Sequence, residues 1–279
     1  MTALAPLESL YEAERGPDVP LPPELAALYG RLQFPAHPDR SHVIGNVVTT
    51  LDGVVALATS GRSGSGQISG ANPHDRMVMG LLRAVADAVV VGAGTLRSVP
   101  KHLWTAARIY PPLADAYQSL RTALGKPEPP LNVIVTASGE LDLDLPVFQS
   151  GKVPALIATT THGAQRLHGR ALPQSLQIAD LQSSGPLSAR AILAAVNAMR
   201  PSEIILVEGG PRLMGDFLAE QCLDELFLTL APQVAGREDA RERPGLVAGH
   251  SFAPEHPVWG TLVGVKRAGS HLFLRYVFG

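Results

Sequence analysis

The stretch EIILVEGGPRLMGDFLAE, residues 203 to 220, decides how the chain is built. Its apolar run, Ile204 to Val207, has the length of a strand buried on both faces rather than that of a helix. Glu208, Gly209 and Gly210 end the run, and Pro211 opens a helical pattern. Proline suits a first helical position, where its missing N–H is no loss. A buried strand that turns at once into a helix is the repeating unit of a parallel α/β sheet. The two glycines keep side chains away from the helix start, whose free N–H groups and positive dipole end favour an anion. Glu208 has two readings. An acid before a helix can complement the dipole. Yet a charge at the end of a buried strand costs free energy unless partners satisfy it, which makes Glu208 a candidate acceptor for a bound molecule.

The same alternation extends in both directions. Upstream, Ser188 caps an amphipathic helix through Met199. Leu131 to Ser138 and Val153 to Thr161 read as buried strands, and Asp87 to Thr95 as another that ends in a glycine turn. Asn72 caps and Pro73 opens a helix that runs to Ala86. Pro100 to Pro130 is irregular at its edges, with a helix expected from Leu113 to Leu124. Ser41 to Leu57 is β-branched and broken at Asp52-Gly53, a turn signal between two strands. Gly61 to Gly70 is a glycine-serine loop. Downstream, Asp224 to Pro232 is a strand, and Gly260 to Phe278 reads as an antiparallel hairpin about Ala268-Gly269. The fold class is therefore α/β: a mostly parallel, mixed sheet flanked by helices, closing with a C-terminal antiparallel hairpin. Residues 41–279 form one domain, and residues 1–40 a Pro-rich N-terminal arm with at most one short helix, near Pro22.

Composition narrows the partners. The chain has 279 residues and a net charge of -2, with no long basic run, so neither nucleic acid nor an anionic membrane is an expected partner. Cys222 is the single cysteine, which excludes a disulfide framework and a multi-cysteine metal site, and no metal is expected. No apolar run reaches the ~18 residues of a membrane span. The N-terminus has no basic flank and no apolar core, so the expected location is the cytoplasm.

Ligands of open α/β sheets bind outside the carboxyl ends of the strands. VVVGAGT places Gly92, Gly94 and Thr95 there, VEGGPRL places Glu208, Gly209 and Gly210 there, and TASG with TTTHGAQR adds hydroxyls. Two glycine turns and hydroxyl clusters on one sheet edge suit a dinucleotide with several phosphates. Taken alone, a Gly-x-Gly after a strand is as often only a turn. A full dinucleotide fingerprint is absent, and so is a phosphate loop. Asp52 on spacing alone is ordinary turn chemistry. Arg83, on an otherwise apolar helix face, either snorkels to the surface or aims at a phosphate. Cys222 reads as a small packed residue.

Several stretches occur in a fixed order: NVVTTLDGVVA, a Gly/Ser loop with ISG, LLRAVADAVVVGAGT, VIVTAS, ILVEGGPRL and DELFLTLAP. Together they resemble the reductase domain of bacterial riboflavin biosynthesis, the RibD C-terminal family, from about Ser41 to the end of the chain. The resemblance implies a dihydrofolate reductase-like fold, NADPH as cofactor and a homodimer. It also implies a reaction: reduction of a phosphorylated ribosylamino-pyrimidine, with hydride delivered to the anomeric carbon of the ribose. A chain with one cysteine cannot carry the Cys-x-x-Cys zinc deaminase that precedes this domain in bifunctional members, so a stand-alone reductase is implied.

The resemblance also places roles. Gly92, Gly94 and Thr95 would contact NADPH, as would Thr49. Gly209, Gly210, Arg212, Leu213 and Met214 would wrap its pyrophosphate and nicotinamide side. Ser138, Thr160 and Thr161 would lie near the adenosine half, with Arg166 as an additional donor. Asn46, Thr50, Ser65, Arg83 and Glu208 would meet the substrate, and Asp52 and Glu208 would stand at the reacting centre. The sequence also departs from the family. The acid usual after the glycine turn is replaced by Val99, Lys101 and Trp104 are new, Arg108 stands near a displaced arginine, and Asn46 stands where some members carry lysine. The departures fall on the substrate side. Two alternatives stay open: a dihydrofolate reductase-like activity on a pterin, and a nucleotide-binding module without catalysis.

Overall fold

The computed structural model describes residues 4–37, 39–57, 64–182, 185–237 and 243–279, the side chain of Ser65 excepted. In chain order the elements are β1 (Glu8–Glu12), α1 (Pro23–Tyr29), β2 (His42–Thr49), α2 (Gly64–Ile68), α3 (Pro73–Val85), β3 (Ala88–Gly92), α4 (Ala93–Ser98) and α5 (Ala106–Ile109). After a 3-10 turn come α6 (Ala114–Ala123), β4 (Leu131–Thr136), α7 (Pro146–Gln149), β5 (Ala155–Thr159), α8 (Thr161–Leu167), β6 (Leu176–Asp180) and α9 (Ala189–Met199). The chain closes with β7 (Ile204–Val207), α10 (Pro211–Ala219), β8 (Glu225–Leu230), β9 (Thr261–Ala268) and β10 (His271–Val277).

Among the described residues the strands form one sheet in the order β1-β9-β10-β8-β2-β7-β3-β4-β5-β6. From β8 to β6 every neighbour is parallel, and β1, β9 and β10 add an antiparallel edge. The mixed, mostly parallel sheet with a closing hairpin is thus the architecture expected from the sequence. Val89 and Val91 of β3 pack on one side with α3 and α6, and Ala88 and Val90 pack on the other with α9 and α10. Successive strand residues point to opposite faces, so a sheet covered on both sides needs apolar residues at every position.

Helix α3 is fixed from both ends and both sides. The Asn72 side chain accepts from the His74 and Asp75 N–H groups, and Pro73 takes the first turn. Gly80 sits where a Cβ would come within 2.5 Å of the Tyr117 hydroxyl on α6. That glycine lets Tyr117 lie over α3 and donate to the Met77 carbonyl at 2.9 Å. Packing on both sides sets the face that α3 turns toward the strand ends.

The structure differs from the sequence expectation in several places. Asp52-Gly53 makes a turn, but residues 54–57, where a second strand was expected, form none. Val54 returns to Thr50, and Val55 donates to the Pro244 carbonyl at 3.0 Å, so this backbone is satisfied by a loop instead of a ladder. The hairpin turns at Gly269-Ser270, one residue later than expected, because His271 pairs with Ala268 and Gly269 takes the left-handed φ of +57 that such loops need. β1 and β6 escaped the sequence reading. The helix near Pro22 forms as α1. Leu7, Leu25, Tyr29, Leu32 and Phe34 of the first forty residues are buried in the same core as α3. Of the glycine-serine loop, residues 61–63 lie outside the described residues.

Candidate active site

Chain order reverses around β2, β7 and β3, where β7 is inserted between the two strands that precede it in sequence. Reversal parts the crossover helices and leaves a crevice at the strand ends. A cavity of about 1360 Å³ occupies it, walled by the ends of β2, β4 and β7, by α3, α4, α5 and α10, and by residues 244–250. Drug-sized ligands fill pockets of roughly 300–1,000 Å³. This cavity has room for a dinucleotide and a second molecule.

The two glycine turns form its floor. The Gly92 N–H donates to the Gly209 carbonyl at 2.9 Å, and the Glu208 N–H donates to the Val90 carbonyl at 3.0 Å. Gly209 has a φ of +86, which a side chain would strain, and a cis peptide joins it to Gly210. A Cβ on Gly94 would meet nothing within 4 Å, and one on Gly210 would stand 3.7 Å from the Thr95 hydroxyl. The turns therefore offer bare backbone side by side. At the start of α10 the N–H groups of Arg212 and Leu213 have no intrahelical acceptor, and the first helical bond runs from Met214 to Gly210.

Glu208 and Arg83 meet above this floor. Arg83 Nε donates to Oε1 at 2.8 Å and Nη2 to Oε2 at 2.6 Å, a bidentate pair whose side chains are only 3% and 7% exposed. The remaining Arg83 donors go to the Met79 sulfur, to His102 Nε2 at 2.8 Å and to the Thr105 carbonyl at 3.3 Å. A guanidinium has five N–H donors, and all are committed inside the protein. Arg83 neither snorkels nor has a donor free for a phosphate in this arrangement. Glu208 keeps lone pairs beyond the two that Arg83 uses, and can still accept from a ligand. Burial pushes the His102 imidazole down to about 3, helped by the charges of Arg83 and Arg108. Its Nε2 then accepts from Arg83, which places the ring proton on Nδ1.

That depressed His102 predicts an acid sensitivity. The unfolded chain takes up the proton near the ordinary histidine range, whereas the folded chain resists it until far lower pH. Stability contributed by neutral His102 is present above that range and is lost as pH falls. Between about pH 7 and 5 the loss should come to about 2 kcal/mol. Urea unfolding across that interval measures it, and His102→Gln should remove that part of the slope.

The cavity gathers Asn46, Arg83, Gly92, Gly94, Thr95, Ser138, Glu208, Gly209, Gly210, Arg212, Leu213 and Met214 from the sequence expectation. Thr49, Thr50, Asp52, Thr160 and Thr161 do not line it. Thr49 bonds to the Thr50 carbonyl at 3.2 Å. Asp52 accepts from the Thr50 hydroxyl at 2.6 Å and from the Ala235 and Gly236 amides at 3.0 and 2.8 Å. Those bonds, the Thr50 hydroxyl foremost and Ala235 next, hold the Asp52 carboxyl at about 2. It is ionised at neutral pH and has no proton to give, while it pins the chain that carries Val55 to Leu57 into the cavity wall. Thr160 caps α8, Thr161 donates to Asp180, and Arg166 pairs with Glu140. The Ser65 side chain lies outside the described residues.

The sequence reading missed several lining residues. Arg76, Arg97, Arg108 and Arg212 stand exposed around the cavity, and none has a carboxylate within 4.0 Å among the described residues. Of these, Arg212 was expected at the cofactor and Arg108 stood near a displaced arginine, whereas Arg76 and Arg97 carried no signal in the sequence. Asp75, Met79 and Arg83 line the cavity at a spacing of four, the signature of one helix face. His250 and Asp216 pair at 2.7 Å on the opposite wall. Among the described residues no three His, Cys, Asp or Glu side chains converge as metal ligands.

A mixed sheet with a nucleotide-sized crevice at its switch point, floored by two glycine turns, is an architecture shared with known proteins. The family model of the RibD C-terminal domain matches residues 41–256, and the chain belongs to that family. No curated protein matches the chain. Among solved structures, a pyrimidine reductase-like protein from Corynebacterium diphtheriae superposes with a TM-score of 0.64 at 22% identity, over 86% of this chain and 92% of the other. The diaminohydroxyphosphoribosylaminopyrimidine deaminase/5-amino-6-(5-phosphoribosylamino)uracil reductase of Thermotoga maritima gives 0.62 at 20% identity, over 86% of this chain and 57% of the other. The riboflavin biosynthesis reductase of Saccharomyces cerevisiae gives 0.58 at 12% identity, over 88% and 92%. At these identities the likeness is one of fold.

Proposed function

We propose that the chain is an NADPH-dependent reductase of a phosphorylated ribosylamino-pyrimidine. The observation that carries this reading is the pair of bonded glycine turns beside the Arg83–Glu208 pair, at the switch point of a RibD-family sheet. The residues fit the cofactor: Gly94 and Gly210 leave a cradle that side chains would fill, and the amides of Arg212 and Leu213 suit a pyrophosphate. Ser138 would stand by the adenosine half. Thr160, Thr161 and Arg166 are engaged elsewhere, so the unpaired arginines of the rim are left to meet the phosphates. Bound there, NADPH supplies a hydride. Glu208 accepts hydrogen bonds from the substrate and is held in place by Arg83, so the protein contributes orientation and charge placement. With Arg83 fully occupied, the phosphate end of the substrate falls to Arg108 or another rim arginine. A homodimer in the cytoplasm goes with the family resemblance, and no helix among the described residues is long and apolar enough to cross a membrane.

Titration with NADPH and NADH tests the reading. Saturable binding with preference for NADPH is expected, raising stability by about 2.7 kcal/mol at a hundredfold excess over Kd. No binding of either at millimolar concentration sinks it. Once binding is seen, turnover of the aminopyrimidine ribosyl phosphate against dihydrofolate separates the two reductase activities.

A further inference from the structure

Residues 99–105, between α4 and α5, depart from the family pattern, and they carry His102 into the cavity wall. Their path is fixed. The His102 N–H donates to the Val99 carbonyl at 2.9 Å. Asn132, fully buried on β4, grips the Trp104 backbone twice: its Oδ1 accepts from the Trp104 N–H at 2.9 Å, and its Nδ2 donates to the Trp104 carbonyl at 3.3 Å. The Trp104 ring, 2% exposed, then stands edge-on to the imidazole, with 5.3 Å between centroids.

Arg83 dictates what this ring can do. A guanidinium only donates, so the Nε2 that meets Arg83 Nη1 at 2.8 Å presents its lone pair, and the single ring proton sits on Nδ1. That Nδ1 has no partner among the described residues and is not sealed from solvent. The other edge of the same guanidinium holds Glu208. One buried arginine therefore sets an acceptor and a donor side by side in the cavity: the spare lone pairs of Glu208 and the Nδ1–H of His102. Burial and the charges of Arg83 and Arg108 keep the imidazole neutral, so the donor carries no charge.

We propose that His102 is a specificity-determining residue, donating from Nδ1 to a carbonyl oxygen of the substrate's ring while Glu208 accepts from an N–H of the same ring. This rests on the reductase reading of the cavity. The occupant is then an uncharged heterocycle with a donor and an acceptor on neighbouring positions. A phosphate is the wrong group here, because it would stand beside the Glu208 carboxylate and face like charge. A ring with an amino group in place of the carbonyl would set donor against donor and leave both unpaired, and a site built around a hydrogen bond rejects such an analogue strongly. The locked tautomer does the sorting. A histidine free to move its proton between the two nitrogens could meet either group, but Arg83 removes that freedom.

Two measurements decide. The first is nitrogen-15 NMR of the histidine rings at neutral pH, with the His102 signal identified by its loss in His102→Gln or His102→Phe. The proton should be on Nδ1; a proton on Nε2, or a doubly protonated ring, overturns the proposal whatever the substrate is. Adding the aminopyrimidine ribosyl phosphate together with NADP+ should shift the Nδ1–H signal, and NADP+ alone should not. Substrate that binds and leaves the signal in place overturns this inference alone. The second is turnover. His102→Gln keeps an acceptor for Arg83 and should raise the substrate KM roughly tenfold, by more than any fall in kcat, with NADPH binding unchanged. A wild-type KM in that variant overturns the inference. The rise should persist with the dephosphorylated substrate; if it vanishes, the ring reads the phosphate and the carbonyl assignment falls. A wild type that binds NADPH but neither binds nor reduces the aminopyrimidine overturns the reductase reading and this inference with it.

Discussion

Replacing Glu208 by alanine is expected to cost about 3–5 kcal/mol of stability and to abolish turnover while NADPH still binds. The stability loss comes from Arg83. Its guanidinium is 3% exposed and has Glu208 as its only carboxylate partner among the described residues. Without Glu208 a buried charge stays uncompensated, and two of its donors lose their acceptors. The catalytic loss comes from the missing acceptor at the strand end. Unfolding by urea measures the first, and NADPH oxidation with substrate the second. Replacing Arg83 and Glu208 together by apolar residues of similar size should restore most of the stability and none of the turnover. A double mutant no more stable than Glu208→Ala would show that the pair is not the source of the cost.

Glu225→Ala should cost a similar 3–5 kcal/mol and leave NADPH binding untouched. Glu225 opens β8 and is fully buried. Arg275 on β10 holds Oε2 at 2.6 Å, and His42 and Arg15 approach Oε1 at 3.3 and 3.7 Å. Arg275 also donates to the Gln33 carbonyl and lies over the rings of Phe34 and Phe227, near 5 Å from each. One carboxylate thus ties the first forty residues to the antiparallel edge of the sheet. Burial opposes its ionisation, yet the nearby His42 imidazole and the charge of Arg275 prevail and keep its pKa low. A lowered carboxyl stabilises the fold above the unfolded-state value, and that contribution drains away as pH falls through the folded-state value. Glu225 lies at the amino ends of the parallel strands, opposite the cavity. Two buried ion pairs of like cost should therefore separate cleanly, one moving activity and one stability alone. Lost NADPH binding in Glu225→Ala would mean that the arm shapes the site.

Much of this was legible one segment at a time. The cap at Asn72, the prolines at 73 and 211 and the continuous apolar run of β3 each act within a turn or a strand. So α3, α6, α9, α10 and the parallel strands other than β6 fall where the sequence placed them. β1 was hidden because its residues, ESLYE, are all exposed and show no apolar face. Its existence depends on the free edge of β9, which only the assembled sheet provides. The strand expected after Asp52-Gly53 lost to a neighbouring loop that offered its backbone the same bonds.

The sequence by itself determined the class of fold and the two glycine turns, because strand and helix periods and turn chemistry are local, and its ordered motifs carried the family resemblance. Only the tertiary structure decided what the charged residues do. Arg83 and Glu208 are 125 residues apart, and their pairing removes the arginine from the list of free phosphate ligands. Asp52 became a pinned turn, and His102 became a neutral ring held by Arg83. The reason is desolvation. A charge is set by which partners share its burial, and burial is fixed by elements that meet only after the sheet has formed.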